Sequence, residues 1–200
     1  MIKDNLCRNI FRGYDIRGIY PKEIDEDTVY TIGLGFGSYI KKLGKTTCVV
    51  GHDNRVSSPS LYDALIKGIV KTGINVIGLG ICTTPMYYYA CIKLKVYSGL
   101  MVTASHNPKY DNGLKFAFDE SGNCKGQEII DFMNFIKRKN FTYGKGTLIS
   151  YDITNDYLDL FKDNFFFGKR KLKVVVDPAN GTTSIIVKKL YNMFPFEFIY

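Results

Sequence analysis

Apolar residues recur along the chain at two spacings that alternate with each other. A spacing of three to five residues, typical of amphipathic helices, predicts helices over 24–43, 61–72, 85–94 and 127–137. Short apolar runs rich in β-branched residues predict strands over 47–51, 75–79, 98–102 and 114–118. In the last helix, Ile129, Ile130, Phe132, Met133 and Ile136 are predicted to form the buried side.

Strands that alternate with helices in this way predict an α/β fold. We expect a three-layer α/β/α domain over 1–140, with a mixed, mostly parallel sheet covered on both faces. One antiparallel strand is expected, because Asp111-Asn112-Gly113 provides a turn signal between the last two predicted strands, which would then pair as a hairpin.

The pattern changes after residue 140. Residues 140–150 are rich in Gly, Thr, Lys and Ser and break the periodicity, so we place a domain boundary there. Beyond it, the pattern predicts a helix over 153–167, a strand over 173–177, a helix over 182–193 and a strand over 196–200. Two strands are too little sheet for an independent α/β domain, so we interpret 150–200 as part of an incomplete second one.

Gly33, Gly35 and Gly37 lie within the first predicted helix. They resemble a glycine-rich nucleotide loop only superficially, because no strand immediately precedes them and the dinucleotide spacing is absent. Close packing against a neighbouring helix is the interpretation we favour.

Composition and charge exclude several classes of protein. The chain has 27 basic and 19 acidic residues. Most of the basic residues are lysines, and they are spread along the chain without a dense cluster, which argues against a nucleic-acid-binding surface. No apolar run approaches the ~20 residues that cross a bilayer, and the amino terminus lacks a signal-peptide pattern. The five cysteines are odd in number and scattered, which favours reduced packing residues. We therefore expect a cytoplasmic protein with no nucleic-acid or membrane partner.

The segment Thr103–Pro108 directly follows the predicted strand 98–102. Ligands of open α/β sheets bind at the carboxyl ends of strands, so Ser105, beside His106 and Asn107, is a candidate nucleophile. Ser, His, Asn and Pro are also ordinary turn formers, and composition alone favours a structural loop. Spacing does not separate these two interpretations.

Three ordered segments resemble motifs of the α-D-phosphohexomutases, the family of phosphoglucomutase and phosphomannomutase. Residues 103–116 (TASHNPKYDNGLKF) resemble the phosphoserine loop, 11–18 (FRGYDIRG) the amino-terminal motif, and 51–59 (GHDNRVSSP) a third segment. The resemblance implies interconversion of hexose 1-phosphate and hexose 6-phosphate through a phosphoserine and a bisphosphorylated sugar. It also implies Mg²⁺ as cofactor, glucose 1,6-bisphosphate as activator and a hexose phosphate as substrate.

The resemblance assigns roles to particular residues. Ser105 would carry the phosphoryl group and contact Mg²⁺ through it, and Lys115 would act as general acid and base. His106 would handle protons or contact the phosphate, and Arg17 and Tyr14 would approach the phosphoserine and the substrate. By alternation alone, Lys115 is an outward-facing side chain between Leu114 and Phe116.

Four further residues, Asp53, Arg55, Ser57 and Asn107, are expected to support the active-site loop. Asp53 and Arg55 lie two residues apart across a turn, and Asn107 is expected to fix the loop backbone through bonds to main-chain groups. Asp177, Asn180 and Gly181 follow a predicted strand and resemble a family loop, although a simple capped turn explains them equally well.

The family's magnesium loop, an Asp-Gly-Asp-x-Asp-Arg segment, is absent from this sequence. We therefore expect a fragment that is inactive in isolation and whose partner is the missing carboxyl-terminal part of the same polypeptide. Two alternatives stay open: a phosphoglucosamine mutase, or a sugar-phosphate-binding domain without catalysis.

Overall fold

A computed structural model describes residues 1–120, 122–162 and 164–200. In these ranges six strands form one sheet, in the order β1-β5-β4-β2-β3-β6. The strands are β1 (Asp15–Ile19), β2 (Thr47–His52), β3 (Asn75–Ile81), β4 (Gly99–Val102), β5 (Asp111–Ala117) and β6 (Leu148–Ser150). The helices between them are α1 (Glu26–Lys42), α2 (Ser58–Val70), α3 (Thr84–Leu94) and α4 (Gln127–Lys137).

The sheet is mixed and mostly parallel, as predicted. Strand β5 pairs antiparallel with β1 and with β4, whereas β4, β2, β3 and β6 pair parallel with one another. Within the described residues, β5 is therefore the one strand that runs against the others. The predicted hairpin of β4 and β5 is confirmed.

Two apolar clusters lie on the two faces of this sheet. The larger cluster combines residues of α1, α2 and α4 with Val50, Leu100 and Phe116. The smaller one combines residues of α3 with Val49 and Met101. Because neighbouring strand residues such as Val49 and Val50 join different clusters, the strands are buried on both sides, which a three-layer architecture requires.

Helices α1 and α2 approach each other closely at glycines. A Cβ atom on Gly33 would lie 2.5 Å from the carbonyl oxygen of Leu65, and one on Gly68 would lie 2.3 Å from that of Tyr30. Both distances are shorter than any tolerable contact, so only glycine fits at this crossing. The packing interpretation of the helix glycines is confirmed.

Several predictions along the first 150 residues were wrong in detail. Residues of the opening motif form strand β1, and Asp111-Asn112-Gly113 is no turn but the start of β5, paired with Ile19, Gly18 and Arg17 of β1. The side chain of Ile130 is 45% exposed instead of buried. Within the segment 140–150, residues 148–150 form β6, which extends the sheet beside β3.

The remaining residues form short elements. They comprise α5 (Thr154–Lys162), β7 (Lys173–Val175), a 3₁₀ turn (Thr182–Ile185), α6 (Val187–Tyr191) and β8 (Glu197–Ile199). Strands β7 and β8 pair in parallel as a separate two-stranded sheet. The predicted helix 153–167 ends at Lys162, with Asp163 outside the described residues, and the predicted helix 182–193 is divided by a break at Ile186.

None of the helices within the described ranges combines the length and apolar character needed to span a membrane. The division into domains at 1–140 and 150–200 and the cytoplasmic location stay predictions.

Candidate functional site

A cleft of about 640 Å³ opens at the carboxyl ends of three neighbouring parallel strands. Asp53 follows β2, Cys82 and Thr83 follow β3, and Thr103 follows β4. Residues 180–183, in the loop after β7, complete the wall. The location is that of ligand sites in open α/β sheets, and the volume suits a small molecule.

Ser105 is an exposed residue of this cleft with an unusual backbone. Its φ angle is +56°, which lies in the left-handed region. This conformation is unfavourable in free energy for any residue other than glycine. Its amide donates a hydrogen bond to Thr103 Oγ1 at 2.9 Å. The turn is closed behind it by Asn107 N donating to Ala104 O at 3.1 Å. The loop therefore holds the Ser105 hydroxyl outward at the end of β4.

His106 is the nearest titratable neighbour of that hydroxyl along the chain. Its Nδ1 atom lies 3.4 Å from Ser105 Oγ, and both side chains are exposed. This is within reach of a weak hydrogen bond, whose direction depends on the histidine tautomer. The arrangement allows His106 to contact a group attached to Ser105.

Arg55 binds the backbone of the Ser105 loop. Its guanidinium donates to four carbonyl oxygens, those of Ser105 (3.0 Å), Asn107 (2.8 Å), Pro108 (2.7 Å) and Asp111 (2.9 Å). The side chain is only 12% exposed. A planar fork with five N–H donors is suited to such multiple contacts.

Asp53 in turn orients Arg55. Its carboxylate accepts hydrogen bonds from Arg55 Nε at 3.2 Å and from the Arg55 amide at 3.0 Å, and it also accepts from the Ser58 hydroxyl. Asn112 extends this buried network by donating to Ser57 Oγ and Ser58 Oγ at 2.8 and 3.0 Å. The third motif segment and the start of β5 are thereby joined under the loop.

Arg17 approaches the same loop from β1. Its Nη1 atom donates to Ala104 O and to Asn107 Oδ1, both at 2.6 Å, while its Nε donates to Asp15 Oδ2 at 2.8 Å. Asn107 Nδ2 donates to Asp111 Oδ2 at 2.8 Å. The Asn107 side chain thus bonds to two side chains, so the prediction that it bonds to main-chain groups was wrong.

Two other predicted site residues, Lys115 and Tyr14, do not line the cleft. Lys115 lies in the middle of β5, in register with Asp15 on one side and with Met101 on the other. Its neighbours Leu114 and Phe116 belong to the larger apolar cluster, so alternation directs Lys115 to the opposite face, where Met101 lines the cleft. Tyr14 is 61% exposed, and neither residue is among those that line the cleft.

The loop after β7 contacts the cleft through Asn54. The Asn54 amide donates to Thr182 Oγ1 at 3.2 Å, Asn54 Nδ2 donates to Asn180 O at 2.7 Å, and Thr182 Oγ1 donates to Asn54 Oδ1 at 2.8 Å. Asn54 lies between Asp53 and Arg55 in the chain. These bonds connect the carboxyl-terminal elements to the support of the Ser105 loop.

Sequence reasoning missed Thr103, Asn54, Thr182 and Lys109 as residues of the site. Thr103 and Lys109 lie inside the motif 103–116 and could have been found by asking what surrounds Ser105 in its own loop. Asn54 and Thr182 are 128 residues apart, and no sequence signal connects them.

The cleft also contains a cysteine. Burial raises the pKa of the Cys82 thiol to about 12, so it stays protonated and unreactive at neutral pH. Cys48, Cys91 and Cys124 are buried as well, which agrees with the interpretation of these cysteines as packing residues, whereas Cys7 is exposed. All five cysteines are free.

The described residues do not provide a metal site. They contain no group of three or more His, Cys, Asp or Glu side chains that could hold an ion. Two carboxylates beside the Ser105 loop, Asp53 and Asp111, accept hydrogen bonds from Arg55 and Asn107. The residues present therefore do not fit a complete Mg²⁺ coordination sphere, which needs several oxygen ligands.

Comparison with known proteins places the chain in a family. The family model described as phosphoglucomutase/phosphomannomutase, alpha/beta/alpha domain I, matches residues 8–141. The chain belongs to this phosphoglucomutase/phosphomannomutase family.

Relatives with assigned names agree with the family model. The chain is 37% identical over 191 residues to a phosphomannomutase/phosphoglucomutase of Pseudomonas syringae pv. tomato, covering 95% of this chain and 40% of the relative. It is 32% identical over 190 residues to a phosphoglucomutase of Neisseria meningitidis serogroup B, covering 94% and 41%. The chain thus spans about 40% of the length of these relatives.

A solved structure shows the same fold. A phosphoglucomutase/phosphomannomutase family protein from Burkholderia thailandensis superimposes with a TM-score of 0.89 at 31% identity, over 100% of this chain and 44% of that one.

Proposed function

We propose that this chain is part of a phosphohexomutase that interconverts hexose 1-phosphate and hexose 6-phosphate of glucose, mannose or both, with Ser105 as the phosphoryl carrier. The observation that supports this most is the Ser105 hydroxyl, exposed in the cleft on a left-handed backbone. Two arginines and a threonine hold the loop around it. The names of the relatives favour this over phosphoglucosamine mutase or a domain without catalysis.

The proposed reaction has two phosphoryl transfers. In the first, the bond between Ser105 Oγ and phosphorus breaks, a bond forms to the free hydroxyl oxygen of the hexose phosphate, and a bisphosphorylated sugar results. The hydroxyl proton leaves to a base and Ser105 Oγ takes up a proton. In the second, Ser105 Oγ loses its proton and bonds to the phosphorus of the other phosphate. The bond between that phosphorus and the sugar oxygen breaks, the sugar oxygen takes up a proton, and the isomeric hexose phosphate leaves with Ser105 phosphorylated again.

Such transfers need positioning and charge neutralisation more than covalent chemistry from the protein. The bonds from Arg55 and Thr103 fix the loop, and Arg17 lies against it from β1. We assign the proton transfers to Lys115, which alternation places on the cleft face of β5, with His106 close to the phosphoryl group. Tyr14 would contact the substrate.

The proposal also includes a metal ion, an activating sugar bisphosphate and a further part of the polypeptide. Mg²⁺ is proposed as cofactor with Ser105 phosphate as one ligand, and its other ligands would have to come from outside this chain, because the described residues contain no group of three or more candidate ligands. Glucose 1,6-bisphosphate is proposed as the activator that loads Ser105. The carboxyl-terminal part of the same polypeptide is the proposed partner, and the chain alone is expected to be inactive.

The test is isomerisation by the full gene product. Conversion of glucose 1-phosphate and mannose 1-phosphate to the 6-phosphates should be measurable in a coupled assay and should be lost in Ser105→Gly. Glycine is the matched control because it adopts the left-handed backbone of Ser105 without strain. Activity that survives this substitution would exclude Ser105 as the carrier.

A further inference from the structure

Positive charge is scarce on the wall of the cleft. Apart from the Cys82 thiol, which is protonated and neutral, its titratable side chains among the residues described are Asp53, Arg55, His106 and Lys109. Asp53 and Arg55 form an ion pair with an N–O distance of 3.2 Å, so their charges cancel. The donors of Arg55 are also committed to four loop carbonyls. A phosphate entering the cleft therefore gains little from Arg55.

Lys109 differs from Arg55 in this respect. None of the acidic side chains in the described ranges forms an ion pair with it. Its ammonium lies 4.8 Å from the centre of the Tyr110 ring, a contact that attracts a cation without neutralising it. The charge is thus uncompensated and faces a cleft that a dianion is expected to enter.

The backbone that carries Lys109 is fixed. The carbonyl oxygen of Pro108, the preceding residue, accepts from Arg55 Nη1 at 2.7 Å and from the Asp111 amide at 3.0 Å. Lys109 also lies four residues after Ser105 in the same loop. The position of its Cα relative to Ser105 is therefore set by the loop, while its long side chain can turn toward a bound anion.

From this arrangement we propose that Lys109 is a phosphate-binding residue of the cleft, supplying the uncompensated positive charge that holds a phosphoryl group beside Ser105. The proposal rests on the function proposed above. It adds a specific ligand group, a dianionic phosphate, and assigns Lys109 a positioning role distinct from proton transfer by Lys115.

The test measures anion binding in a chain that cannot be phosphorylated at the carrier. In the Ser105→Gly chain, NMR shifts of loop amides report binding of glucose 1,6-bisphosphate and, separately, of inorganic phosphate. Adding Lys109→Met should weaken binding roughly 30-fold, as expected for loss of one ammonium about 4 Å from a dianion in a water-filled cleft. Lys109→Arg should retain it, and Lys125→Met, which removes an exposed charge away from the cleft, should leave it unchanged.

Equal binding with and without Lys109, or no binding to the parent Ser105→Gly chain, would overturn the proposal. A different result is expected if the proposed mutase function is wrong but Lys109 does bind phosphate. In that case the full gene product would not isomerise hexose phosphates, while loss of the Lys109 charge would still weaken anion binding. Added salt should weaken binding in the parent more than in Lys109→Met, because a charge contact is screened.

Discussion

The first 150 residues and the last 50 are stabilised to very different degrees. The first region buries most of its apolar side chains in two clusters around a six-stranded sheet. In the second, the buried apolar side chains of the described residues are Ile153, Ile186 and Val187. Helix α5 contains no buried residue among those described, and Phe166 is 97% exposed.

The difference shows where the site obtains its rigidity. Ser105, Arg55 and Arg17 all belong to the first region, whose burial supplies most of the folding free energy. The second region contacts the first through Ile153 and Ile186 in the smaller apolar cluster and through Asn54 at the cleft. We therefore expect the loop that carries Ser105 to be formed by the first region, with the second region attached to it.

The largest effect is expected from phenylalanine substitutions in the two regions. Phe132→Ala removes a fully buried ring that packs against Phe116 and Tyr39, and should lower the free energy of unfolding by about 3–5 kcal/mol. The matched substitution Phe166→Ala should change it by less than about 0.5 kcal/mol. Urea unfolding measures both, and similar losses would contradict the contrast between the regions.

Ile186→Ala tests the apolar contact between the regions. The side chain is 3% exposed in the smaller cluster, so its truncation should cost about 2–4 kcal/mol locally. Amides of 151–200 should then exchange hydrogen faster, while those of β2 and β4 keep their protection. If protection fell equally in both regions, they would unfold as one unit.

Arg55→Lys tests the support of the Ser105 loop. A lysine cannot reproduce the fork that reaches four carbonyl oxygens, so we expect local destabilisation of about 2 kcal/mol. Amide exchange of Asn107 and Asp111 should rise by roughly 30-fold, since every 1.4 kcal/mol is a factor of ten. Unchanged exchange would show that Arg17 and Thr103 suffice to hold the loop.

Thr182→Val tests the polar connection at the cleft and should have the smallest effect. The substitution removes the hydroxyl that both accepts from the Asn54 amide and donates to Asn54 Oδ1, at nearly constant size. Exposed neutral hydrogen bonds contribute about 1 kcal/mol, so 180–183 should loosen without loss of global stability. A loss as large as that of Ile186→Ala would make this contact the main connection.

Much of the fold could be predicted because local pattern and tertiary structure agree. Helix α4 has the predicted bounds, 127–137, since its apolar spacing matches the face it buries. Strand β1 was missed because Arg12, Gly13 and Tyr14 suggest a loop, and its strand conformation depends on pairing with β5, a non-local partner. The same pairing overrode the turn propensity of Asp111-Asn112-Gly113.

For the site, local motifs identified residues but not their contacts. Ser105, His106 and Asn107 could be found because they are consecutive in one loop. That Arg55 contacts four carbonyls of this loop, or that Asn54 contacts Thr182, depends on the order of strands in the sheet, which single-sequence periodicity does not contain. Lys109 lies in the same motif and could have been found there, but periodicity alone does not distinguish it from other exposed lysines.

The central claim is that Ser105 carries the phosphoryl group, and mass spectrometry tests it most directly. After incubation of the full gene product with glucose 1,6-bisphosphate, we predict a single addition of ~80 Da, the mass of one phosphoryl group. Peptide mapping should locate it at Ser105, and it should be absent from Ser105→Gly. A phosphoryl group on any other residue, or none in an otherwise active protein, would contradict the account.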